Sequence, residues 1–102
     1  MQASGFFKGL ADETRLKLLV AMKQRGEICV CELTELLHET QPKISRHLAL
    51  LRNTGIVKTE RRGKWIYYRL CDEMPHWQRD VLDCLEPQQF PELKLGAQPI
   101  CI

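Results

Sequence analysis

A chain of 102 residues, 44% apolar and 27% charged, is long enough for one domain with a modest core and too short for several. No stretch approaches the roughly 18 uninterrupted apolar residues of a membrane span, and the amino terminus MQASGFFKGLADETR lacks the basic segment and long apolar run of a secretory signal, so a cytoplasmic location without a membrane partner is expected. Net charge is only +2, and the five cysteines, an odd number in a chain read as leaderless, argue against a disulfide framework and leave metal ligation, sensing or buried filler.

In chain order, Phe6, Phe7 and Leu10 have helical spacing and predict a short first helix. The segment ADETRLKLLVAMKQRG predicts a second, capped by Asp12, with Leu16, Leu19, Val20 and Lys23 at helical spacing and Gly26 as its stop. CVCELTELL reads as a short helix that begins near the cysteines and gathers Leu33, Leu36 and Leu37 on one face. The clearest helix is ETQPKISRHLALLRNTGI. Thr40 is its cap, Pro42 sits in the first turn, where its missing N–H costs nothing, Ile44, Leu48 and Leu51 point inward, and Asn53-Thr54-Gly55 ends it.

The period then changes. IVKTERRGKWIYYRL places β-prone residues on both sides of Arg61-Arg62-Gly63-Lys64, the pattern of a two-stranded hairpin with a basic tip. PHWQRDVLDCLE returns to helix, with Pro75 near the first turn, Trp77, Val81 and Leu85 on one stripe and Cys84 beside it. Pro87, Pro91 and Pro99 punctuate the remaining residues. The expected organisation is therefore one domain over residues 1–86 and an irregular tail over 87–102. The fold class is mainly α with a small β-hairpin wing, a winged helix-turn-helix.

Charge distribution points to nucleic acid. From Lys43 to Arg69 eight basic residues face the single acidic Glu60, a net +7 that leaves −5 on the rest of the chain. Gln41, Lys43, Ser45, Arg46 and His47 crowd the first turns of the fourth helix, where a recognition helix offers side chains to the major groove. Arg and Gln suit paired hydrogen bonds to guanine and adenine edges, whereas Ser and Lys suit phosphate oxygens. Arg52 near the helix end and Arg61, Arg62 and Lys64 at the hairpin tip complete the candidates, and phosphate neutralisation by them predicts salt-dependent binding to double-stranded DNA. Arg52 as an intramolecular ion-pair partner and His47 as an ordinary surface histidine are the alternatives. Trp65, Tyr67 and Tyr68 are read as packing for the hairpin. For the cysteines, residue type and spacing leave three readings of Cys29 and Cys31 open: buried filler, a redox pair, or a soft-ligand site.

LADETRLKLL, ICVCEL, QPKISRHLALLRNTGIV and RRGKWIYYRL together resemble the ArsR/SmtB family of metal-responsive repressors, and within it the arsenical-resistance branch, over about Phe7 to Leu85. The resemblance implies a homodimer formed through the first and last helices, with Phe6, Phe7, Leu10, Trp77, Val81 and Leu85 as interface positions, some of which also serve the intrachain core. It implies a non-enzymatic repressor that binds operator DNA when ligand-free and leaves it on binding trivalent arsenic or antimony. The inducer ligand would be arsenite, methylarsenite or antimonite rather than a catalytic cofactor, held by Cys29 and Cys31. Thiolate is the soft ligand such elements prefer, and a helix amino terminus favours thiolate over thiol. On a regular helix, residues two apart lie roughly 200° apart around the axis, so joint ligation by Cys29 and Cys31 is expected to need an extended or unwound first turn.

Some relatives carry a third cysteine three residues after the pair, where this chain has Thr34. The last-helix zinc- or nickel-type site is expected to be absent, since only His76 is available there, and a four-thiolate cadmium- or lead-type site looks incomplete. Cys84 and Cys101 are a second candidate pair, suited by their number to a monomethylated trivalent arsenical, and Cys71 is read as strand-end filler. Two other functions compete: a repressor switched by thiol oxidation and, more distantly, a Cys-x-Cys oxidoreductase, which lacks the expected βαβ setting.

Overall fold

A computed structural model describes residues 3–93. Helix α1 (Ala3–Leu10) leads into α2 (Glu13–Arg25), strand β1 (Glu27–Cys29), α3 (Val30–Leu37), α4 (Gln41–Asn53), the hairpin β2 (Val57–Arg62) and β3 (Trp65–Leu70), and α5 (His76–Asp83). Local chemistry sets the boundaries. Asp12 Oδ1 accepts hydrogen bonds from the backbone N–H groups of Thr14 (2.8 Å) and Arg15 (3.2 Å), satisfying two donors that α2 cannot pair internally. Gly26 then turns the chain out of α2 at φ 86°, a region costly for any residue with a Cβ. Thr40 accepts from the Lys43 N–H at the start of α4, with Pro42 in the first turn as expected.

Helices α3 and α4 form the helix-turn-helix, joined by a turn through His38 in the left-handed conformation (φ 55°). Ile44, Leu48 and Leu51 are all buried, as the spacing predicts, and they fix which side of α4 faces outward. The centre of the domain is α2, whose consecutive residues Leu18 to Met22 are all buried. A helix enclosed on most sides loses its amphipathic stripe, so Leu18 and Met22 escape a one-face reading. Lys23, assigned to that stripe, instead extends its ammonium to the carbonyls of Leu82 (3.1 Å), Asp83 (3.0 Å) and Leu85 (2.6 Å) and so satisfies the carboxyl end of α5.

The hairpin is part of a larger sheet. Three antiparallel strands lie in the order β1-β3-β2, with Glu27 opposite Arg69 and Cys29 opposite Tyr67. The expected two-stranded hairpin forms as β2 and β3, and β1 adds a strand that the sequence does not announce: three residues are too few to display a period of two, and only pairing with β3 makes them a strand. Gly63 (φ 65°) supplies the first position of the two-residue hairpin loop.

On α5, Gln78 and Leu82 are buried, while Val81 and Leu85 of the predicted stripe are half-buried against the core and Trp77 is 40% exposed. Beyond it, Pro87–Gln89 and Pro91–Leu93 each form one 3-10 turn, Leu93 is buried, and Glu92 pairs with Lys17 of α2 at 2.9 Å. Residues 94–102, and with them Cys101, lie outside the described residues. No described helix is long and apolar enough to cross a membrane.

Candidate DNA-reading surface and thiol cleft

The buried stripe of α4 turns Gln41, Ser45 and Arg46 to solvent on its first turns, with Arg52 exposed near its end. Arg46 and Arg52 make no ion pair among the described residues, so their guanidinium groups keep their donors for another partner. Lys43 pairs with Glu39 at 3.1 Å. His47 is half-buried, its Nδ1 lying 3.2 Å from Arg15 Nη1, and Arg15 also donates to the carbonyls of Gly9 (2.8 Å) and Lys8 (3.1 Å). Arg15 thereby ties the end of α1 to the recognition helix, a role that sequence spacing did not reveal.

The three wing cations differ in state. Arg61 and Lys64 are exposed, Arg61 Nε donating to the Gly63 carbonyl (3.2 Å) and Lys64 standing 5.8 Å from the Trp65 ring. Arg62 is engaged within the molecule: it forks onto both carboxylate oxygens of Glu27 (2.7 and 2.9 Å), donates to Glu60 (2.9 Å) and stacks over Tyr67 at 4.7 Å. These carboxylates raise the Arg62 pKa further, and the same contacts lower that of Glu60. Arg62 thus locks β1 to β2 across β3, and in this state it offers DNA less free charge than its neighbours do.

The cysteine pair sits where β1 becomes α3. Cys29 is the last strand residue, extended at φ −91° and ψ 163°, and Cys31 lies in the first turn of the helix. The strand-to-helix junction cancels the angular separation expected for a continuous helix, and the two Sγ atoms lie 2.8 Å apart. Cys29 is thus extended with no unwinding of α3. Cys29 is only 9% exposed while Cys31 is open to solvent. Burial foremost, then the contact with Cys31, pushes the Cys29 thiol up, against the expectation that a helix amino terminus favours its thiolate. Glu32 accepts from the Cys29 N–H at 3.2 Å, and the Thr34 hydroxyl donates to the Cys31 carbonyl at 2.8 Å.

A cleft of about 280 Å³ holds this pair together with Val30, Gln41, Lys64, Trp65 and Ile66. The thiols, the first residue of α4 and the wing therefore share one concavity, although they are far apart in sequence. The second candidate pair is not brought together among the described residues: Cys84 is exposed beyond α5 with its Sγ 3.5 Å from the Asp80 carbonyl, Cys101 lies outside them, and Cys71 is half-buried. No group of three or more His, Cys, Asp or Glu side chains able to hold a metal ion occurs among the described residues.

Residues 12–59 match the family described as bacterial regulatory protein, arsR family. The arsenic resistance transcriptional regulator ArsR1 of Pseudomonas putida is 55% identical over 101 residues, which cover 91% of this chain and 79% of that relative. This chain belongs to the ArsR family. It is a regulatory protein, not an enzyme. The arsenical resistance operon repressor of Escherichia coli is 49% identical over 76% of this chain and 66% of its own. Among solved structures, the AntR antimony-specific transcriptional repressor superposes with a TM-score of 0.65 at 31% identity, over 76% of this chain and 68% of that one.

The α4 packing of this ArsR-family chain makes its stability depend on pH through His47. Burial foremost, and then Arg15, Lys43 and Arg46, lower the His47 pKa against the opposing pull of Asp12. A depressed pKa means the unfolded chain takes up a proton before the folded one. His47 therefore contributes stability that is complete above the ordinary histidine pKa of about 6.5 and declines as pH falls through the lower folded value. His47→Gln is expected to flatten the fall in unfolding midpoint between about pH 7 and pH 5 in urea titrations. An unchanged slope defeats this assignment.

Proposed function

We propose that this ArsR-family chain is a homodimeric repressor of an arsenic-resistance operon, which binds operator DNA through α4 and the wing. It leaves the DNA when a trivalent arsenical or antimonite bonds to Cys29 and Cys31. The observation that carries this reading is the shared cleft: the paired sulfurs open into the same concavity as Gln41 and Lys64. A ligand seated there competes for, or displaces, side chains that DNA requires. It shifts the population toward the free protein by its difference in affinity for the two states and by no more. The bonding step is a condensation. Each S–H replaces one hydroxyl on the trivalent element, an S–As or S–Sb bond forms, and the thiol proton departs with the hydroxide as water.

DNA contact is assigned to Gln41, Ser45 and Arg46 for the major groove, with Lys43, His47, Arg52, Arg61 and Lys64 toward the backbone or an adjacent groove. Arg62 joins them by exchanging Glu27 and Glu60 for phosphate. Dimerisation is assigned to the face where α1 meets α5. Phe7 and Trp77 are 49% and 40% exposed, with ring centroids 6.0 Å apart, and Val81 and Leu85 are half-buried beside the core. Phe6 and Leu10 are buried beneath that face and support it from within. An exposed aromatic pair built by the two terminal helices suits burial against a second copy.

The test is fluorescence anisotropy on a duplex selected by the protein from a randomised pool, titrated with arsenite, antimonite, zinc, cadmium and peroxide. Arsenite and antimonite are expected to release the duplex. Arg46→Ala is expected to weaken binding by about 1–3 kcal/mol, and Lys64→Ala to reduce the salt slope by about one. Release by peroxide, reversed by dithiothreitol and not reproduced by arsenite or antimonite, would replace this reading with a thiol-oxidation switch.

A further inference from the structure

The basic wing tip is less available than its charge suggests, and the reason lies outside the hairpin. Arg62 Nη1 and Nη2 donate to the two carboxylate oxygens of Glu27 at 2.7 and 2.9 Å, and Nη2 also donates to Glu60 at 2.9 Å. Glu60 stands on β2 and moves with the wing, whereas Glu27 stands on β1, which is no part of the hairpin. The register shows how far Arg62 reaches. Its own strand position is opposite Trp65, yet its guanidinium lies over the Tyr67 ring at 4.7 Å and continues to Glu27, whose position is opposite Arg69. The pair is open to exchange. The Arg62 and Glu27 side chains are 45% and 34% exposed, and a guanidinium fork that holds two carboxylate oxygens holds two phosphate oxygens in the same geometry. Arg61 and Lys64 beside it form no ion pair among the described residues. A phosphate drawn to the tip by those two cations therefore meets an Arg62 that is already occupied.

Resting on the reading of the wing as a DNA contact, we propose that Glu27 sets the affinity of that contact: its carboxylate holds Arg62 as an internal stand-in for a backbone phosphate, and DNA gains Arg62 only by displacing it. The exchange trades one ion pair for another, so Arg62 adds less to DNA affinity than an unpaired arginine at the same place. No covalent bond changes and no proton moves. Glu27 is a positioning residue, since it acts through Arg62 and touches neither base nor phosphate. A pair that served only to hold the wing in place has the opposite consequence, because breaking it would loosen Arg61 and Lys64 and weaken DNA binding. The sign of the effect therefore separates the two roles.

The full chain is titrated into the selected duplex, and into a scrambled duplex of the same length, by fluorescence anisotropy at one fixed salt concentration. Glu27→Gln keeps the size of the side chain and removes its charge. It is expected to bind the selected duplex about three- to fivefold more tightly than wild type, the upper range for an exposed ion pair. A similar gain is expected on the scrambled duplex, because a phosphate contact carries no base sequence. Arg62→Ala is expected to weaken binding by about two- to threefold in the wild type and by about tenfold in Glu27→Gln. The Glu27→Gln gain thus vanishes once Arg62 is gone. Weaker or unchanged binding by Glu27→Gln, a gain confined to the selected duplex, or a gain that survives Arg62→Ala overturns the proposal. Losses in Arg61→Ala and Lys64→Ala in the same assay then leave the wing reading standing. If none of Arg61→Ala, Arg62→Ala and Lys64→Ala weakens binding, the wing reading itself fails.

Discussion

Cys31→Ser is expected to bind the operator within about twofold of wild type and to remain on it at arsenite or antimonite concentrations that release the wild-type protein. In the wild type, release is expected to weaken apparent DNA affinity by roughly 5- to 150-fold, the usual range of coupling between two sites. Such a clean separation is expected because Cys31 is exposed and its described side-chain contact is the 2.8 Å approach to Cys29 Sγ. Serine keeps the helix turn and its size while removing the soft donor that arsenic and antimony require. Cys29→Ser should have the same functional result with a somewhat larger effect on stability, because Cys29 is buried at the end of β1. Anisotropy titrations of both variants at constant salt decide the matter. Full release of Cys31→Ser by arsenite would move the ligand site away from this pair, and serine variants of Cys84 and Cys101 would be the next to measure.

Phe6→Ala is expected to lower the unfolding free energy by about 3–5 kcal/mol, a large share of the roughly 5–15 kcal/mol available to a typical domain. Phe6 is 0% exposed and packs edge-on against both Trp77 (5.1 Å) and Phe7 (5.3 Å). Truncating it opens a cavity where α1 meets α5 and removes the largest buried side chain of the short α1. Its neighbour makes the comparison sharp. Phe7 is half exposed, so Phe7→Ala is expected to change subunit stability by no more than about 1 kcal/mol. The same change should weaken self-association on the proposed dimer face. Urea unfolding followed by circular dichroism, at one fixed protein concentration because dimerisation is linked to folding, gives the first quantity. Sedimentation equilibrium gives the second. Equal losses for Phe6→Ala and Phe7→Ala would mean that both rings serve the same surface, contrary to the packing described.

Much of this protein can be read from neighbouring residues alone. Asp12, Thr40, Pro42 and Gly26 act within one helical turn of where they stand. Ile44, Leu48 and Leu51 repeat at a spacing that only a helix satisfies, and Gly63 serves a turn between two β-prone runs. These signals depend on φ, ψ and hydrogen bonds a few residues away, so the helix-turn-helix, the basic wing and the outward face of α4 are legible without a structure. The remainder depends on partners distant in sequence. Glu27 to Cys29 form a strand only because β3 lies alongside them. The same pairing extends Cys29 and closes the gap to Cys31. Arg62 reads as one more free wing cation until Glu27, 35 residues away, takes its guanidinium. Lys23 reads only as one more residue at helical spacing on α2 until the carbonyls of Leu82, Asp83 and Leu85 take its ammonium. In each case a polar or backbone group is satisfied by a partner distant in sequence, and such pairings leave no periodic trace in the order of residues.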